Sequence, residues 1–201
     1  MTSLSTENDS DLDLLARWHQ NDIRAGSALV KRHFRTLHRF FSNKAHGQTD
    51  DLIQQTFVAC IESKHAFRGD SSFRAYLLGL ARYQLHTYYR KRARTQQLDF
   101  TTSSVRDLGA SPTGLVAQRQ EQQRLQLALQ SVPLDQQIAL ELTYWEGLSA
   151  ADVARVLEIP ENTVYSRVRR AKAHLRKALD ELCQHDDERK AAYALLVGAD
   201  E

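Results

Sequence analysis

The stretch Ser149-Ala-Ala-Asp-Val-Ala-Arg-Val-Leu-Glu-Ile-Pro-Glu-Asn-Thr-Val-Tyr-Ser-Arg-Val-Arg-Arg-Ala-Lys172 decides the reading of the C-terminal half. Ser149 can cap a helix, with Asp152 three residues on as a weakened capping box, because Asp stands where Glu or Gln usually reaches back. Val153, Ala154 and Leu157 share one face at helical spacing, and Pro160 stops that helix while being tolerated in the first turn of the next. The sequence therefore predicts two short helices joined by a tight turn. In the second, Val164, Val168, Ala171 and Leu175 form one narrow apolar stripe at roughly 100° per residue. Burying that stripe turns Asn162, Ser166, Arg169, Arg170 and Ala173 outward, with Thr163, Tyr165, Arg167 and Lys172 on the flanks.

A major groove about 12 Å wide admits such a helix, and an arginine there can pair bidentately with guanine. The pattern points to DNA. The plainer reading is a solvated amphipathic helix with basic residues near its C-terminal end, where the dipole favours them. It leaves the scaffold helix and turn in front of it unexplained.

The formal net charge of +2 hides a sorting of charge along the chain. Between His65 and Arg94 the basic residues Arg68, Arg74, Arg82, Arg90, Lys91, Arg92 and Arg94 face the single acid Asp70, which makes a second basic patch. Both ends are acidic, through Glu7, Asp9, Asp11, Asp13 and Asp22 at the start and Asp180, Glu181, Asp186, Asp187 and Glu188 after Leu179. Acidic ends keep a DNA-binding chain soluble and shield it from non-specific DNA, or are simply solvated helix ends.

With 201 residues, 42% of them hydrophobic, the chain can hold one medium domain or two small ones. Few Gly and Pro, and no alternating apolar and polar runs, argue for an all-α protein. No basic-then-apolar leader is present and no apolar run approaches ~18 residues, so the expectation is a cytoplasmic chain without membrane insertion. Cys60 falls on an apolar helix side and reads as a small buried hydrophobe, Cys183 stands alone, and no metal site or cofactor is expected.

Leu12, Leu15 and Trp18 open a first helix, and Val30, Phe34, Leu37 and Phe41 give the second a buried stripe. After a loop over 44–50, a third helix from Asp51 to Ser63 turns Ile53, Phe57, Cys60 and Ile61 inward. Ser71 or Ser72 then caps a long fourth helix that runs to about Arg94. Periodicity disappears from Thr95 to Thr113, which reads as a flexible connection. The second block starts near Leu115, bends at Val132-Pro133 and ends a helix at Gly147. The divisions are thus 1–94, a linker over 95–114, a helix-turn-helix domain over 115–183, and an acidic tail over 184–201.

Two stretches resemble a known family. Asp50-Asp-Leu-Ile-Gln-Gln-Thr-Phe57 with Phe67-Arg-Gly-Asp-Ser-Ser-Phe-Arg-Ala-Tyr-Leu-Leu-Gly-Leu-Ala-Arg82 resembles the bacterial sigma-factor domain that binds RNA polymerase and the -10 promoter element. Val132-Pro133 through Arg176 resembles the sigma domain that binds the -35 element. Both lie in the right order with a linker between them, and the lack of further sigma domains resembles the short extracytoplasmic-function (ECF) class.

The resemblance assigns roles. Asp51, Leu52, Gln54 and Gln55 would meet the clamp of core polymerase, with Gln55 where the family usually has Glu, and Phe57 reads as core. Arg68, Gly69, Asp70, Ser71 and Ser72 match a loop that captures a flipped base, for which small polar side chains leave room. Arg74, Arg82, Arg90, Lys91 and Arg92 would hold phosphates, Tyr83, Tyr88 and Tyr89 would stack on unpaired bases, and His86 belongs to the same -10 surface. Tyr76 stands at a usual Trp and reads as core, and Thr87 replaces a common Asp. Asn162, Thr163, Tyr165, Ser166, Arg167, Arg169, Arg170 and Lys172 would form the -35 surface. Core RNA polymerase and promoter DNA are the implied partners, with an anti-sigma factor as a further one.

No nucleophile-base pair, paired-carboxylate site or phosphate-binding Gly loop marks an enzyme. A two-component-style regulator would need N-terminal strands that are absent, and a nucleic-acid-processing enzyme would need a metal or acid/base constellation. A degenerate sigma-like protein that binds polymerase or an anti-sigma factor without initiating transcription stays open, on Gln55 and Thr87.

Overall fold

The computed structural model describes residues 9–45, 47–63, 67, 71–93, 99–108, 120–183 and 186–197. These form nine helices: α1 Asp11–His19, α2 Ile23–Ser42, α3 Thr49–Glu62, α4 Phe73–Arg92, α5 Gln120–Leu129, α6 Leu134–Tyr144, α7 Ala150–Leu157, α8 Glu161–Leu182 and α9 Asp186–Val197. The chain is all-α, as its composition requires.

The helix starts follow from local chemistry. Ser10 and Asp13 close a full capping box on α1, Asp22 accepts from the N–H groups of Arg24 and Ala25 at the start of α2, and Ser72 accepts from Ala75 N at 3.1 Å on α4. Gly147 ends the α6 segment at φ +58°, a left-handed conformation that glycine adopts without strain. Gly26 has a different reason. A Cβ there would sit 2.4 Å from Trp18 Nε1, so the α1–α2 hairpin closes only over a bare backbone.

Burial corrects the expected stripes of the first three helices. On α1 the buried residues are Leu14 and Leu15, while Leu12 is 56% exposed. On α2 the inward face runs through Leu29, His33, Leu37 and Phe41, leaving Val30 half-buried and Phe34 exposed. His33 takes the place because Asp11 Oδ2 lies 2.9 Å from its Nε2 and Phe73 packs edge-on against its ring. On α3, Leu52, Ile53, Thr56, Phe57 and Cys60 are buried, whereas Ile61 is 46% exposed. Burial pushes the Cys60 thiol up to about 12, consistent with an inert packing role.

One apolar cluster runs from α1–α4 through Phe100 and Val105 into Leu134, Ile138, Ala139 and Leu142 of α6, Val153, Val156 and Leu157 of α7, and Val164 of α8. A second joins α5, α8 and α9 with Leu140. The two sequence blocks therefore share a core. α6 lies at its centre, with every residue from Leu134 to Leu142 buried.

Residues 99–108 of the expected flexible connection are tied down. Phe100 O and Ser103 O accept from the N–H groups of Asp135 and Leu134, Ser104 pairs with Pro133 as an isolated bridge, and Val105 is fully buried. The expected acidic tail is largely helix α9. Its first turn carries Asp186, Asp187 and Glu188, favourable to the dipole, and it buries Ala192 and Leu196 one turn apart.

Candidate nucleic-acid interface

The helix-turn-helix forms as its sequence dictates. Ser149 Oγ accepts from Asp152 N at 3.1 Å, while the Asp152 carboxylate takes the Ser149 hydroxyl at 3.0 Å. Glu158 turns the chain at φ 55°, ψ 45°, and Pro160 launches α8. Val153, Ala154 and Leu157 are buried, as are Val164, Ala171 and Leu175, with Val168 packed half-buried. The outward face carries exposed Asn162, Arg169 and Arg170, with Tyr165 at 63% exposure. Thr163, Ser166 and Lys172 are half-buried beside them, and the Lys172 ammonium lies 4.6 Å from the centre of the Tyr144 ring. Their hydrogen-bond donors are thus gathered on one helix face.

Arg167 departs from that set. It is 9% exposed and turns inward, its Nη1 3.4 Å from Asp135 Oδ2, within ion-pair range but off hydrogen-bond geometry.

The expected -10 residues on α4 meet a different environment. Ser71 is half-buried, while Ser72, Tyr83 and Arg90 are exposed. Arg74 Nη1 comes within 4.0 Å of Glu146 Oε2. The Arg82 side chain is 14% exposed and reaches Asp135 at 3.4 Å and Glu158 at 3.5 Å. His86 is buried, stacked on Phe100 with ring centres 4.0 Å apart, and its Nε2 lies 3.1 Å from Asp135 Oδ1 without hydrogen-bond alignment. Burial pushes the Asp135 carboxyl up, yet His86 and Arg82 hold it below its ordinary range. Tyr89 is buried and donates to Lys44 O, so it offers no stacking face, and Tyr76 packs on Phe67 and Phe73 as a core residue. A cavity of about 300 Å³ remains between Ser71, Tyr76, Gly79 and Tyr83 of this region and Arg155 and Glu158 across from it. Arg68, Gly69 and Asp70 lie outside the described residues.

On α3, Asp51, Gln54 and Gln55 are exposed as expected, but Leu52 is 2% exposed and belongs to the core. Its place on that face is taken by Val58 and Ile61, each 46% exposed and one and two turns beyond Gln54. An apolar residue outside the expected stripe is the signal for Val58, whereas Ile61 is expected within that stripe and folds outside it.

Between the blocks sits a second polar cluster that no local pattern announces. Lys44, fully buried, pairs with Glu141 and also donates to Asn43 Oδ1 at 3.1 Å. Asn43 and Gln137 donate to Glu141 Oε1 at 3.0 and 2.7 Å. Burial pulls the Lys44 ammonium down from its ordinary value, opposed by Glu141. Further out, Arg39 Nε donates to Glu146 Oε1 at 3.0 Å. Among the described residues no group of His, Cys, Asp or Glu could hold a metal ion, and no helix is long and apolar enough to cross a membrane.

Residues 28–95 match the family model described as sigma-70 region 2, and residues 122–175 match that of sigma-70, region 4. The chain is 30% identical over 156 residues to the ECF RNA polymerase sigma factor SigX of Bacillus subtilis (strain 168), covering 74% of this chain and 80% of that protein. It is 27% identical over 186 residues to the RNA polymerase sigma-H factor of Pseudomonas aeruginosa, covering 87% and 96%. Among solved structures, CnrH in complex with the cytosolic domain of CnrY aligns at TM-score 0.63 and 25% identity over 86% of this chain and 99% of that one. RpoE of Bartonella quintana, solved with the anti-sigma factor NepR, shares the fold at TM-score 0.59 and 24% identity, over 79% and 97%.

Proposed function

The chain belongs to the sigma-70 family of RNA polymerase sigma factors, in its ECF class, and from that premise we propose that it directs core polymerase to specific promoters and assists in opening the -10 region. The observation that carries this reading is the exposed face of α8. Asn162, Tyr165, Arg169 and Arg170 are exposed on a helix whose opposite stripe is locked in the core, the arrangement a duplex major groove accepts. In this reading the -35 element is read by α8, with Thr163, Ser166 and Lys172 at its margin. The single-stranded -10 element lies along Ser71, Ser72, Arg74, Arg82, Tyr83 and Arg90, together with Arg68, Gly69 and Asp70, with the buried His86 behind them. The ridge of Asp51, Gln54, Gln55, Val58 and Ile61 meets polymerase.

Sigma factors are regulatory proteins; the chemistry of RNA synthesis belongs to the polymerase. The partners in this reading are core RNA polymerase, promoter DNA and an anti-sigma factor, the last supported by the neighbours solved with such partners. Adding the purified chain to core enzyme on its own upstream DNA tests the proposal. Run-off transcripts that depend on the chain are expected; binding of core enzyme without transcripts would favour a degenerate factor, on Gln55 and Thr87.

A further inference from the structure

Helix α2 carries five Lys or Arg residues and two His among its 20 residues, and no acid. The whole chain, by contrast, nearly balances 27 basic residues against 25 acidic ones. At about 100° per residue, Arg24, Lys31, Arg35 and His38 fall within about 60° of one another around the helix, and all four are exposed. Acids from elsewhere reach only the flanks of this row: Asp11 takes Arg32 and His33, and Glu146 takes Arg39. Asp22, just before the helix, caps it and pairs with Arg17 instead. Among the described residues no carboxylate lies within ion-pair range of Arg24, Lys31 or Arg35. The row is costly to the free chain. Arg24 stands in the first turn, where the helix dipole disfavours a cation, and Lys31 and Arg35 are like charges one turn apart. An anionic partner relieves both costs.

We propose that the row Arg24, Lys31, Arg35 and His38 docks on the phosphate backbone of duplex DNA, a contact without sequence preference and separate from the surfaces of α8, α4 and α3. From Arg24 to His38 the helix rises about 21 Å, a length along which a duplex offers about twelve phosphate charges. A row fixed on one straight helix suits a stiff rod of regularly spaced charge. His38 is held beside Phe34 with ring centres 6.2 Å apart. A recess of about 470 Å³ between Phe34, Arg35, Thr36, His38 and Arg39 gives a phosphate room against guanidinium and imidazole donors. An anionic lipid surface fits less well, because it needs a continuous apolar stripe to sink into the headgroups. Beside this row that stripe runs Ile23, Ser27, Val30, Phe34, broken by a serine and by the half-burial of Val30. Phosphate contacts of this kind hold a protein on DNA and leave the reading of bases to other residues.

The test uses the full chain and a fluorescein-labelled duplex of random sequence. Bound duplex should protect Lys31 from acetylation by an N-hydroxysuccinimide ester, read by mass spectrometry, while the exposed Lys190 of α9 reacts as in the free chain. Lys31→Gln with Arg35→Gln should weaken the duplex about tenfold and lower the salt slope by about two, one for each phosphate contact removed. Helicity should not change, because both positions are exposed. Lys31→Glu adds a readout that a structural role would move the other way. It turns a like-charge pair into a Glu–Arg pair in the favourable order, so the variant should melt slightly higher while binding the duplex more weakly. Unprotected Lys31, or wild-type duplex affinity in the double variant, would overturn the proposal. So would lower melting of Lys31→Glu, the mark of a structural task. Retention on phosphatidylglycerol vesicles that the double variant loses while keeping its DNA affinity would overturn it in favour of a lipid surface. Failure of the sigma reading would show separately, as absence of chain-dependent run-off transcripts, and leaves the protection of Lys31 unchanged.

Discussion

The helices α8 and α4 carry similar side chains, both assigned to promoter DNA in the proposed function, yet one is presented whole and the other partly covered. On α8, Asn162, Tyr165, Arg169 and Arg170 project from a helix whose apolar stripe, with Arg167 beside it, is buried. On α4, His86 is buried with Asp135 and the Arg82 side chain is 14% exposed beside them, while Arg74, Tyr83, Arg90, Lys91 and Arg92 stay near solvent. Basic residues on a helix thus say where nucleic acid can bind. Whether they are available is decided by the acids that fold against them.

α6 is the element that makes the difference, and it gives the largest expected effect. Glu141→Ala leaves Lys44 buried without its counter-charge, and breaking a buried pair from one side costs about 3–5 kcal/mol. Thermal or urea unfolding should register that loss; a change below about 1 kcal/mol would mean that water reaches Lys44 and the closed contact is loose.

The second effect lies on the presented helix. Arg169→Ala should cost about 1–3 kcal/mol on a specific -35 duplex and relax preference at one base pair, whereas Lys172→Ala should weaken all sequences alike and flatten the salt slope. Titrations on specific and random duplexes distinguish them. Equal losses on both DNAs for both variants would remove the base-reading role of α8.

The α3 ridge is a third surface, exposed like α8 but without basic residues. Asp51→Arg with Gln54→Glu should lower affinity for core polymerase by about tenfold, or about 1.4 kcal/mol, through a mismatched interface. The melting temperature of the free chain should stay nearly unchanged, because both positions are exposed. Unaltered co-elution with core enzyme would place the polymerase contact elsewhere.

The smallest effect appears only in acid. Asp135 has a folded pKa depressed below its ordinary 3.8, so its contribution to stability is present above that value and lost as the pH falls through the folded one. Melting of the wild-type chain followed below pH 3.8 should therefore fall more steeply than that of Asp135→Asn. Parallel profiles would mean that Asp135 gains nothing from Arg82 and His86.

Local chemistry was legible in the sequence and distant pairing was not. Ser72, Ser149, Pro160 and Gly147 set helix ends within a few residues of themselves, and the α8 stripe follows from spacing alone. The α2 stripe was misjudged because His33, a polar residue, is drawn inward by Asp11, and Phe34 beside it is displaced to the surface. α9 was missed because its acidic first turn dominates the composition and hides the Ala192–Leu196 spacing. The pairing of Lys44 with Glu141, or Arg39 with Glu146, spans about half the chain, and no periodicity encodes it. Asp135 likewise draws in Arg167 and His86, which read as surface residues and fold as buried ones, whereas Leu52 simply joins the apolar core.

The contrast between the two helices is tested most directly by titrating the free wild-type chain, and then its complex with core polymerase, against a -35 duplex and a single-stranded -10 oligonucleotide from its own upstream DNA. The free chain should bind the duplex and leave the single strand essentially unbound, and the complex should bind both. Tight binding of the single strand by the free chain, at the affinity shown by the complex, would contradict the covered state of α4.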